Sequence, residues 1–250
     1  MRKFGLIGYP LGHSFSRKYF TEKFKNERIS DSSYENYPIT DITQITDLLE
    51  AEPDLCGLNV TIPYKSEILR FLDSIDNEAS EIGAVNVIKI SRRGSSLFLS
   101  GFNSDVTGIS DSLKPYFRNN LRHALVLGTG GSSRAVCYVL KKMGANIISV
   151  SREKKTDTIT YQDITPGLIA QIQLIVNTTP LGMFPGIETK PDIDYSLLGK
   201  GHILFDLVYN PEITAFLKSG LKQGCTVITG LKMLHSQAEK AWQIWNDDRI

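Results

Sequence analysis

The stretch HALVLGTGGSSRAV, residues 123–136, decides the fold of the second half of this chain. An apolar strand pattern runs directly into GTGG (128–131), and a helical pattern begins at once. Glycines let the backbone turn tightly and approach a pyrophosphate, which then binds the free N–H groups at the helix N-terminus. A plain strand-to-helix turn is the alternative, but the flanking strands favour a dinucleotide site. Ser133 departs from the usual fingerprint, which has a third glycine or an alanine at this position.

The next strand, NIISV, indicates which dinucleotide is bound, because its end lies about 20 residues beyond the glycines. An acidic residue there would bind the ribose 2′-OH of NAD, whereas Ser151 and Arg152 follow the strand in this chain. A guanidinium can hold a 2′-phosphate through a fork of hydrogen bonds, and a carboxylate would repel it. Lys154 and Lys155 add positive charge close behind, with Glu153 between them and Arg152. The sequence therefore predicts NADP rather than NAD.

Outward from this stretch, short apolar runs alternate with amphipathic ones along most of the chain. Such alternation of strands and helices predicts parallel sheets covered by helices, here in two units with a change of rhythm near residue 104. The runs AVNVIKI and SSLFLSG flank a turn-like SRRG and predict an antiparallel pair in the first unit. The chain ends on an amphipathic helix over 231–246. We therefore predict an α/β fold.

The stretch NVTIPYK, residues 59–65, reads as the end of a strand followed by a helix over YKSEILRFLD. Pro63 suits the first turn of that helix. Lys65 would then also lie in the first turn, where the helix dipole disfavours a cation. Most lysines are solvated surface groups, so this unfavourable position favours a functional role for Lys65.

Composition and charge exclude several classes of function. The chain has 250 residues, with 28 Lys and Arg against 27 Asp and Glu, and no basic stripe that would suit a polyanion. The three cysteines (Cys56, Cys137, Cys225) are far apart, which predicts reduced thiols. The N-terminal apolar stretch is too short for a signal peptide, no run approaches a membrane span, and the four histidines lack metal-ligand spacing. We therefore expect a cytoplasmic protein with no metal, membrane or nucleic-acid partner.

Several polar side chains stand where they could serve a ligand. Ser14 and Ser16 follow the first strand and could bind a substrate carboxylate together, although Ser16 could instead cap the next helix. Asn86 lies inside an apolar strand, so its amide needs either a structural bond or a ligand. Asp105 ends GFNSD at the change of rhythm, where a helix cap is the alternative. Gln237 lies on the apolar stripe of the last helix, which suggests an interdomain or ligand-facing position.

Eight motifs together resemble those of the shikimate dehydrogenase family, and the resemblance spans nearly the whole chain. They occur in the family's order and at similar spacing: GYPLGHSFS, NVTIPYK, GAVN, GFNSD, GTGGSSRA, TTPLGM, FDLVYNPEIT and TGLKMLHSQA. Each motif alone is weak, whereas eight in order are very specific.

The resemblance implies two domains and a reaction. Residues 1–104 and 231–250 would form an N-terminal α/β substrate-binding domain to which the C-terminal helix returns. Residues 105–230 would form a Rossmann-type NADP-binding domain inserted between them. The implied activity is the reversible, NADPH-dependent reduction of 3-dehydroshikimate to shikimate in chorismate and aromatic amino-acid biosynthesis. The implied enzyme is an oxidoreductase that acts on a CH–OH group of a small molecule, as a monomer or homodimer.

Carried over position by position, the resemblance also implies three sets of site residues. The catalytic pair would be Lys65 and Asp105. The substrate would be bound by Ser14 and Ser16 at its carboxylate, with Tyr209 nearby, and by Thr61, Asn86 and Gln237 at its ring hydroxyls. NADP would be bound by Gly128, Gly130, Gly131, Ser151, Arg152 and Thr178.

The chain departs from the family pattern in four places. Ser151 replaces a common asparagine, Ser104 a common threonine, and Ser132 a usual alanine. The segment 153–171 is too short for a full helix between two strands. The first and last departures concern how tightly the adenosine phosphate is held, and they leave the chemistry untouched.

The resemblance leaves the proton step and two rival functions open. We expect Lys65 to act chiefly as a positioned cation and proton donor, while either Lys65 or Asp105 could be the formal base of the reverse reaction. The closest rival function is that of a quinate dehydrogenase or a dual quinate/shikimate dehydrogenase. A non-catalytic NADP-binding regulator on the same scaffold is a rival of another class. Such a regulator should have lost the Lys65–Asp105 pair, which this chain keeps.

Overall fold

The chain folds into two compact units, seen in a computed structural model that describes residues 1–11, 15–94, 96–116, 122–247 and 249. The first unit comprises Met1–Ser104 and Ala238–Ile250, and the second comprises Asp105–Gln237. The chain therefore leaves the first unit once and returns to it within its last helix.

The first unit is built on one mixed sheet. Its strands are β1 (Arg2–Gly8), β2 (Ser32–Pro38), β3 (Leu55–Val60), β4 (Ser74–Ile75), β5 (Val87–Arg93) and β6 (Ser96–Phe102), and its helices are α1 (Phe15–Asn26), α2 (Ile45–Ala51) and α3 (Asn77–Ile82). The strand order is β2-β1-β3-β5-β6-β4. β1 pairs in parallel with β2 and β3, whereas β5 is antiparallel to β3 and β6. The antiparallel pair predicted around SRRG is therefore β5–β6.

Each face of this sheet carries its own core, because successive strand side chains point to opposite faces. One face carries an aromatic cluster whose buried members include Phe4, Phe20, Phe24, Tyr34 and Trp245. The other face carries an aliphatic cluster whose buried members include Ile7, Leu58, Val60, Ile68 and Ile88. Tyr34 belongs to the first cluster and Tyr37 packs against the second, so these two residues of β2 lie on opposite faces.

The second unit is a parallel sheet of strand-helix repeats. Its strands are β7 (His123–Leu127), β8 (Asn146–Ser151), β9 (Thr158–Thr160), β10 (Leu174–Asn177), β11 (Ile203–Asp206) and β12 (Thr226–Ile228), and its helices are α4 (Asp105–Leu113), α5 (Gly131–Lys142), α6 (Pro166–Ile169), α7 (Ala215–Lys222) and α8 (Gly230–Trp245), which continues into the first unit. The order is β12-β11-β10-β7-β8-β9, with every neighbouring pair parallel. The α/β fold and the Rossmann-type arrangement are confirmed.

Two details of the second unit bear on the predictions. Between β8 and β10 the chain forms only β9, one 3-10 turn and the four-residue α6, so the predicted lack of a full helix holds. The start of α8 packs closely against α4, because a Cβ added to Gly108 would lie 2.5 Å from the Met233 carbonyl oxygen. Residues 231–237 therefore group with the second unit, whereas the predicted boundary placed the helix in the first from residue 231. Among the described residues, no helix is both long enough and apolar enough to cross a membrane.

Candidate functional site

A chain of polar side chains crosses the aromatic face of the first unit. The Tyr34 hydroxyl donates to Asn59 Oδ1 at 2.7 Å and also bonds with the Ser16 hydroxyl. Asn59 Nδ2 donates to the Asn86 carbonyl oxygen at 3.3 Å. Asn86 Oδ1 in turn accepts from the Ser104 backbone N–H at 2.7 Å. The structure thus connects two predicted substrate residues, Ser16 and Asn86, through Tyr34 and Asn59.

Asn86 is held by backbone as well as side chain. It is 4% exposed, and its carbonyl oxygen also accepts from the Val60 N–H at 2.9 Å. A buried amide in an apolar stretch requires such partners, because an unpaired polar group costs free energy away from water. Asn86 therefore makes structural hydrogen bonds, which was one of its two predicted alternatives. The bond from its side chain holds the backbone of Ser104, the residue that precedes Asp105.

Ser16 is the second residue of α1, and its side chain turns toward Tyr34. This contact argues against a simple helix-capping role for Ser16. Ser14, its predicted partner at the substrate carboxylate, lies outside the described residues.

Lys65 lies in a turn, and the helix predicted over residues 64–73 is wrong. A 3-10 helix, Glu67–Phe71, begins only two residues beyond Lys65, so the argument from the helix dipole does not apply. Hydrogen bonds to neighbouring segments hold this turn in place. The Tyr64 N–H donates to the Thr61 carbonyl, its hydroxyl donates to the Ile39 carbonyl at 2.8 Å, and the Lys65 carbonyl accepts from Val85 N–H at 2.7 Å. These bonds hold half-buried Lys65 in the turn that follows β3 and Thr61.

The glycine turn of the second unit follows β7 and opens α5, as the motif predicted. Gly128 has a φ of +114°, and a Cβ there would lie 2.5 Å from Thr178 Oγ1, so the chain itself requires glycine. A Cβ on Gly130 would meet no atom within 4 Å. The fold therefore gives no steric reason for Gly130, and the close approach of a pyrophosphate supplies one.

Ser133 bridges this turn. Its hydroxyl donates to the Gly128 carbonyl at 2.7 Å, and its side chain is buried. A serine at the third position of the fingerprint therefore ties the helix to the turn through a hydrogen bond. Gly131, also predicted to contact NADP, is the first residue of α5.

The end of β8 carries the residues predicted to select the dinucleotide. Ser151 is buried at the strand end, whereas Arg152 is exposed directly after it. Lys155 Nζ donates to Thr129 Oγ1 at 3.2 Å and so lies over the glycine turn. The positive charges expected beside an adenosine phosphate thus lie at the same edge of the sheet as the turn. This donor set fits NADP.

The loops after β10 and β11 are joined by a buried carboxylate that the sequence did not reveal. Asp206 accepts from Asn177 Nδ2 at 2.9 Å, Val208 N–H at 3.0 Å and Thr214 Oγ1 at 2.6 Å. Burial raises the pKa of Asp206 to about 6, although these three bonds lower it.

Two residues predicted to contact a ligand, Thr178 and Tyr209, lie in the loops that follow β10 and β11. Thr178 follows β10 and donates to the Leu127 carbonyl at 2.6 Å. Tyr209 is half-buried in the loop after β11. The Asp206 network therefore supports the loops that carry both.

The remaining predicted residues, Asp105 and Gln237, are the first and last residues of the second unit. Asp105 is 1% exposed and begins α4, where an acidic side chain suits the helix dipole. Gln237 is half-buried in α8 and is the last residue of the unit.

Sequence reasoning missed Asn59, although a signal was present. In NVT, Asn59 alternates with Thr61 and therefore points to the same face of β3 as a residue already chosen. Within the described part of the chain, no group of three or more His, Cys, Asp or Glu side chains could hold a metal ion.

Comparisons with known proteins identify relatives that match over nearly the whole chain. The family model of the shikimate dehydrogenase substrate binding domain matches residues 6–88. A shikimate dehydrogenase (NADP(+)) from Methanococcus aeolicus is 35% identical over 262 residues, which cover 96% of this chain and 90% of the relative.

Solved structures give the same result. A crystal structure of shikimate dehydrogenase in complex with NADP+ matches with a TM-score of 0.86 at 31% identity and covers 98% of this chain and 90% of that one. The enzyme from Thermus thermophilus in complex with NADP(H) and shikimate matches with a TM-score of 0.84 at 29% identity, covering 98% and 94% of the two chains.

Proposed function

Because this chain belongs to the shikimate dehydrogenase family, we propose that it catalyses the reversible, NADPH-dependent reduction of 3-dehydroshikimate to shikimate. The observation that carries the proposal is the polar array around the end of β3, where Asn59 Nδ2 donates to the Asn86 carbonyl and the backbone of Lys65 is bonded to Val85, the residue before Asn86. A ring that carries several hydroxyls and a carboxylate needs such a set of fixed donors and acceptors.

The proposed substrate contacts extend the predicted set by one residue. Ser14 and Ser16 bind the carboxylate with Tyr209 nearby, and Thr61, Asn86 and Gln237 bind the ring hydroxyls. Asn59 joins the second group, since it lies between Tyr34 and Asn86. We propose that the unit of Met1–Ser104 and Ala238–Ile250 is the substrate domain and that the unit of Asp105–Gln237 is the cofactor domain.

The cofactor supplies the hydride when it is bound, and the protein supplies geometry, charge and the proton. The glycine turn and the N-terminus of α5 would hold the pyrophosphate, while Arg152 and Lys155 would hold the 2′-phosphate. Ser151 and Thr178 complete the proposed cofactor set.

Lys65 and Asp105 carry the proton step in this proposal. The Lys65 ammonium stabilises the negative charge that develops on the carbonyl oxygen and donates a proton to it. Asp105 orients the ammonium and is the second candidate for the base of the reverse reaction. We further propose that the enzyme works in the cytoplasm as a monomer or homodimer, without a membrane or nucleic-acid partner.

An assay of every substrate–cofactor combination tests the proposal. Shikimate and quinate are each supplied with NADP+ and NAD+, and reduced nicotinamide is followed by absorbance. We expect the highest kcat/KM for shikimate with NADP+. A preference for quinate would make the chain a quinate dehydrogenase, and no turnover of either substrate would favour the non-catalytic regulator.

Lys65→Ala supplies the matched test of mechanism. Removing an acid-base group typically costs about 10²–10⁴ in rate, so turnover should fall by that factor while the Kd for NADP+ is unchanged. Lys18→Ala is the control, because the Lys18 side chain is 79% exposed on the surface of the same unit. Near-native turnover of Lys65→Ala would overturn the assignment.

A further inference from the structure

Tyr34 is buried among aromatic rings, and its hydroxyl is the branch point of the polar chain. The residue is 3% exposed, and its ring stacks on Phe20 at 4.6 Å between centroids and 15° between planes. The Trp245 ring lies 6.3 Å away on the same face. Packing on this scale fixes the ring, so the hydroxyl occupies a fixed point in the site.

The hydroxyl faces one end of the Asn59 amide. The Asn86 carbonyl can only accept a hydrogen bond, so the amide atom that faces it must be Nδ2, and Oδ1 then faces Tyr34. The Tyr34–Asn59 bond is 2.7 Å long, whereas the Asn59–Asn86 bond is 3.3 Å and shares an acceptor that also serves the Val60 N–H. The tyrosine bond is therefore the stronger restraint on the amide.

This orientation leaves one donor available. Nδ2 carries two hydrogens, and within the described part of the chain only the Asn86 carbonyl accepts one of them from Asn59. The second hydrogen is a donor that suits a hydroxyl of the substrate. A flipped amide would present Oδ1 instead, would lose its bond to the Asn86 carbonyl and would have to reverse the direction of its bond with Tyr34.

The same hydroxyl also restrains Ser16. Because the one Tyr34 proton is given to Asn59, the Tyr34 oxygen accepts from the Ser16 hydroxyl. Burial raises the pKa of Tyr34 above its ordinary value, with the Ser16 bond opposing the rise, so the hydroxyl remains a donor through neutral pH. A serine hydroxyl has one proton, so a carboxylate that accepts it replaces the Tyr34 oxygen as acceptor, and Tyr34 positions the Ser16 side chain before the substrate binds.

We propose that Tyr34 is a positioning residue of the substrate site, which fixes the amide of Asn59 and the side chain of Ser16 through its hydroxyl. The inference rests on the proposed function, because it concerns the same substrate. It assigns to Tyr34 no contact with the reacting atoms. Its effect reaches the substrate through two neighbours.

Tyr34→Phe tests the proposal, since it keeps the stacked ring and removes only the hydroxyl. We expect the KM for shikimate to rise about three- to tenfold, because an unanchored amide binds less well. We expect kcat within about twofold of the native value and an unchanged KM for NADP+, since the reacting groups are not touched.

Tyr37→Phe is a matched control in the same strand. The Tyr37 hydroxyl is buried without a hydrogen-bond partner in the described structure, and its side chain packs on the opposite face of the sheet. The same chemical change there should leave both KM values and kcat unchanged.

A double-mutant cycle with Asn59→Ala separates positioning from general damage. If Tyr34 acts through Asn59, adding Tyr34→Phe to Asn59→Ala should raise KM by less than it does in the native chain. An unchanged KM in Tyr34→Phe, full additivity in the cycle, or a kcat loss as large as the KM rise would each overturn the proposal. Failure of the proposed function would look different, because the native chain itself would then fail to oxidise shikimate.

Discussion

At the scale of single residues, Asp206 shows how burial changes the chemistry of a carboxyl group. It is fully buried, and its three partners (Asn177, Val208 and Thr214) all donate to it. Burial nevertheless outweighs these bonds and raises the Asp206 pKa from 3.8 to about 6. The folded protein therefore binds a proton at Asp206 more tightly than the unfolded chain does.

This shift predicts how stability changes with pH. Between about pH 4 and pH 6 the folded state holds more protons at Asp206 than the unfolded state, so this group makes stability fall as the pH rises. The favourable contribution is complete below pH 3.8 and is lost as the pH passes 6. A shift of this size corresponds to about 3 kcal/mol. Part of this contribution is already lost at pH 4.5, so the difference in unfolding free energy between the native chain and Asp206→Asn should change by about 2 kcal/mol between pH 4.5 and pH 7.5.

Urea unfolding of both proteins at the two pH values measures this difference. Carboxyl groups whose pKa is lowered, such as Asp111 and Asp163, remain in both proteins and cancel in the comparison. Asp192→Asn is the control, because Asp192 is exposed in the same unit. A native-to-variant difference that stayed constant with pH would contradict the assigned pKa.

The candidate site was predictable from sequence only where a residue type was unusual in its local pattern. Asn86 and Ser16 stood out, and Arg152 followed from its position at a strand end. Tyr34 did not stand out, because a tyrosine in a strand is ordinary and its hydroxyl bond reaches Asn59, 25 residues away. Such partners are set by the order of strands in a sheet, which local spacing does not contain.

At the scale of elements, two glycines of the same turn, Gly128 and Gly130, are needed for different reasons. Gly128 needs a positive φ and has no room for a Cβ beside Thr178. Gly130 is the N-cap of α5, with an extended backbone (φ −81°, ψ −174°) that any residue can adopt. The fold requires the first glycine, and only a closely approaching ligand requires the second.

Alanine at each position should therefore give opposite results. Gly128→Ala should lose about 1–3 kcal/mol of unfolding free energy from backbone strain, with steric conflict added. Gly130→Ala should lose less than about 1 kcal/mol, since alanine is only a poorer N-cap than glycine, while its Kd for NADP+ should rise at least tenfold.

Urea unfolding and calorimetric titration with NADP+ measure the two quantities. Each variant is the other's control, because the same methyl group is added two residues apart. Native-like NADP+ binding by Gly130→Ala would show that no ligand approaches this turn closely.

The elements themselves were largely predictable, and the exception has a physical cause. The periodicity of YKSEILRFLD fits a helix, but the chain at Lys65 is drawn into a turn by its bond to Val85 and by Tyr64, which enters the aliphatic cluster. These tertiary contacts outweigh a short helical pattern, because an isolated helix of this length is marginal. The shortened region between β8 and β10 was predictable, since its length alone excluded a full helix.

At the scale of the whole molecule, the two-part organisation followed from strand-helix alternation, but the return of the chain did not. The sequence shows an amphipathic last helix, and only the resemblance to a family indicated which unit it joins. In the structure, the last turns of α8 enter the aromatic cluster of the first unit. The Trp245 ring stacks on Phe4 at 4.9 Å, and Lys23 pairs with Glu239 at 2.9 Å. The sequence indicates that one stripe of α8 is buried, but it does not show which unit that stripe packs against.

Trp245 should therefore stabilise the first unit from the far end of the chain. Its indole N–H donates to the Ile88 carbonyl at 3.0 Å, and a Cβ on Gly57 would lie 2.3 Å from its ring nitrogen, so β3 and β5 are packed directly beneath it. Trp245→Ala removes this ring and leaves a buried carbonyl without its donor. We expect a loss of about 3–5 kcal/mol in unfolding free energy, measured by far-UV circular dichroism in urea.

Hydrogen exchange shows where that stability is lost. Trp245 belongs to the aromatic cluster of the first unit, whereas the core of the second unit is a separate cluster around Leu125, Ile175 and Phe216. Amides of β1, β3 and β5 should therefore exchange faster in Trp245→Ala, while those of β7 and β10 keep their protection. Gln243→Ala, an exposed change in the same helix, should alter neither set. Equal loss of protection in both sheets would mean that the two cores unfold as one cooperative unit, and the return of the last helix would then stabilise the whole chain.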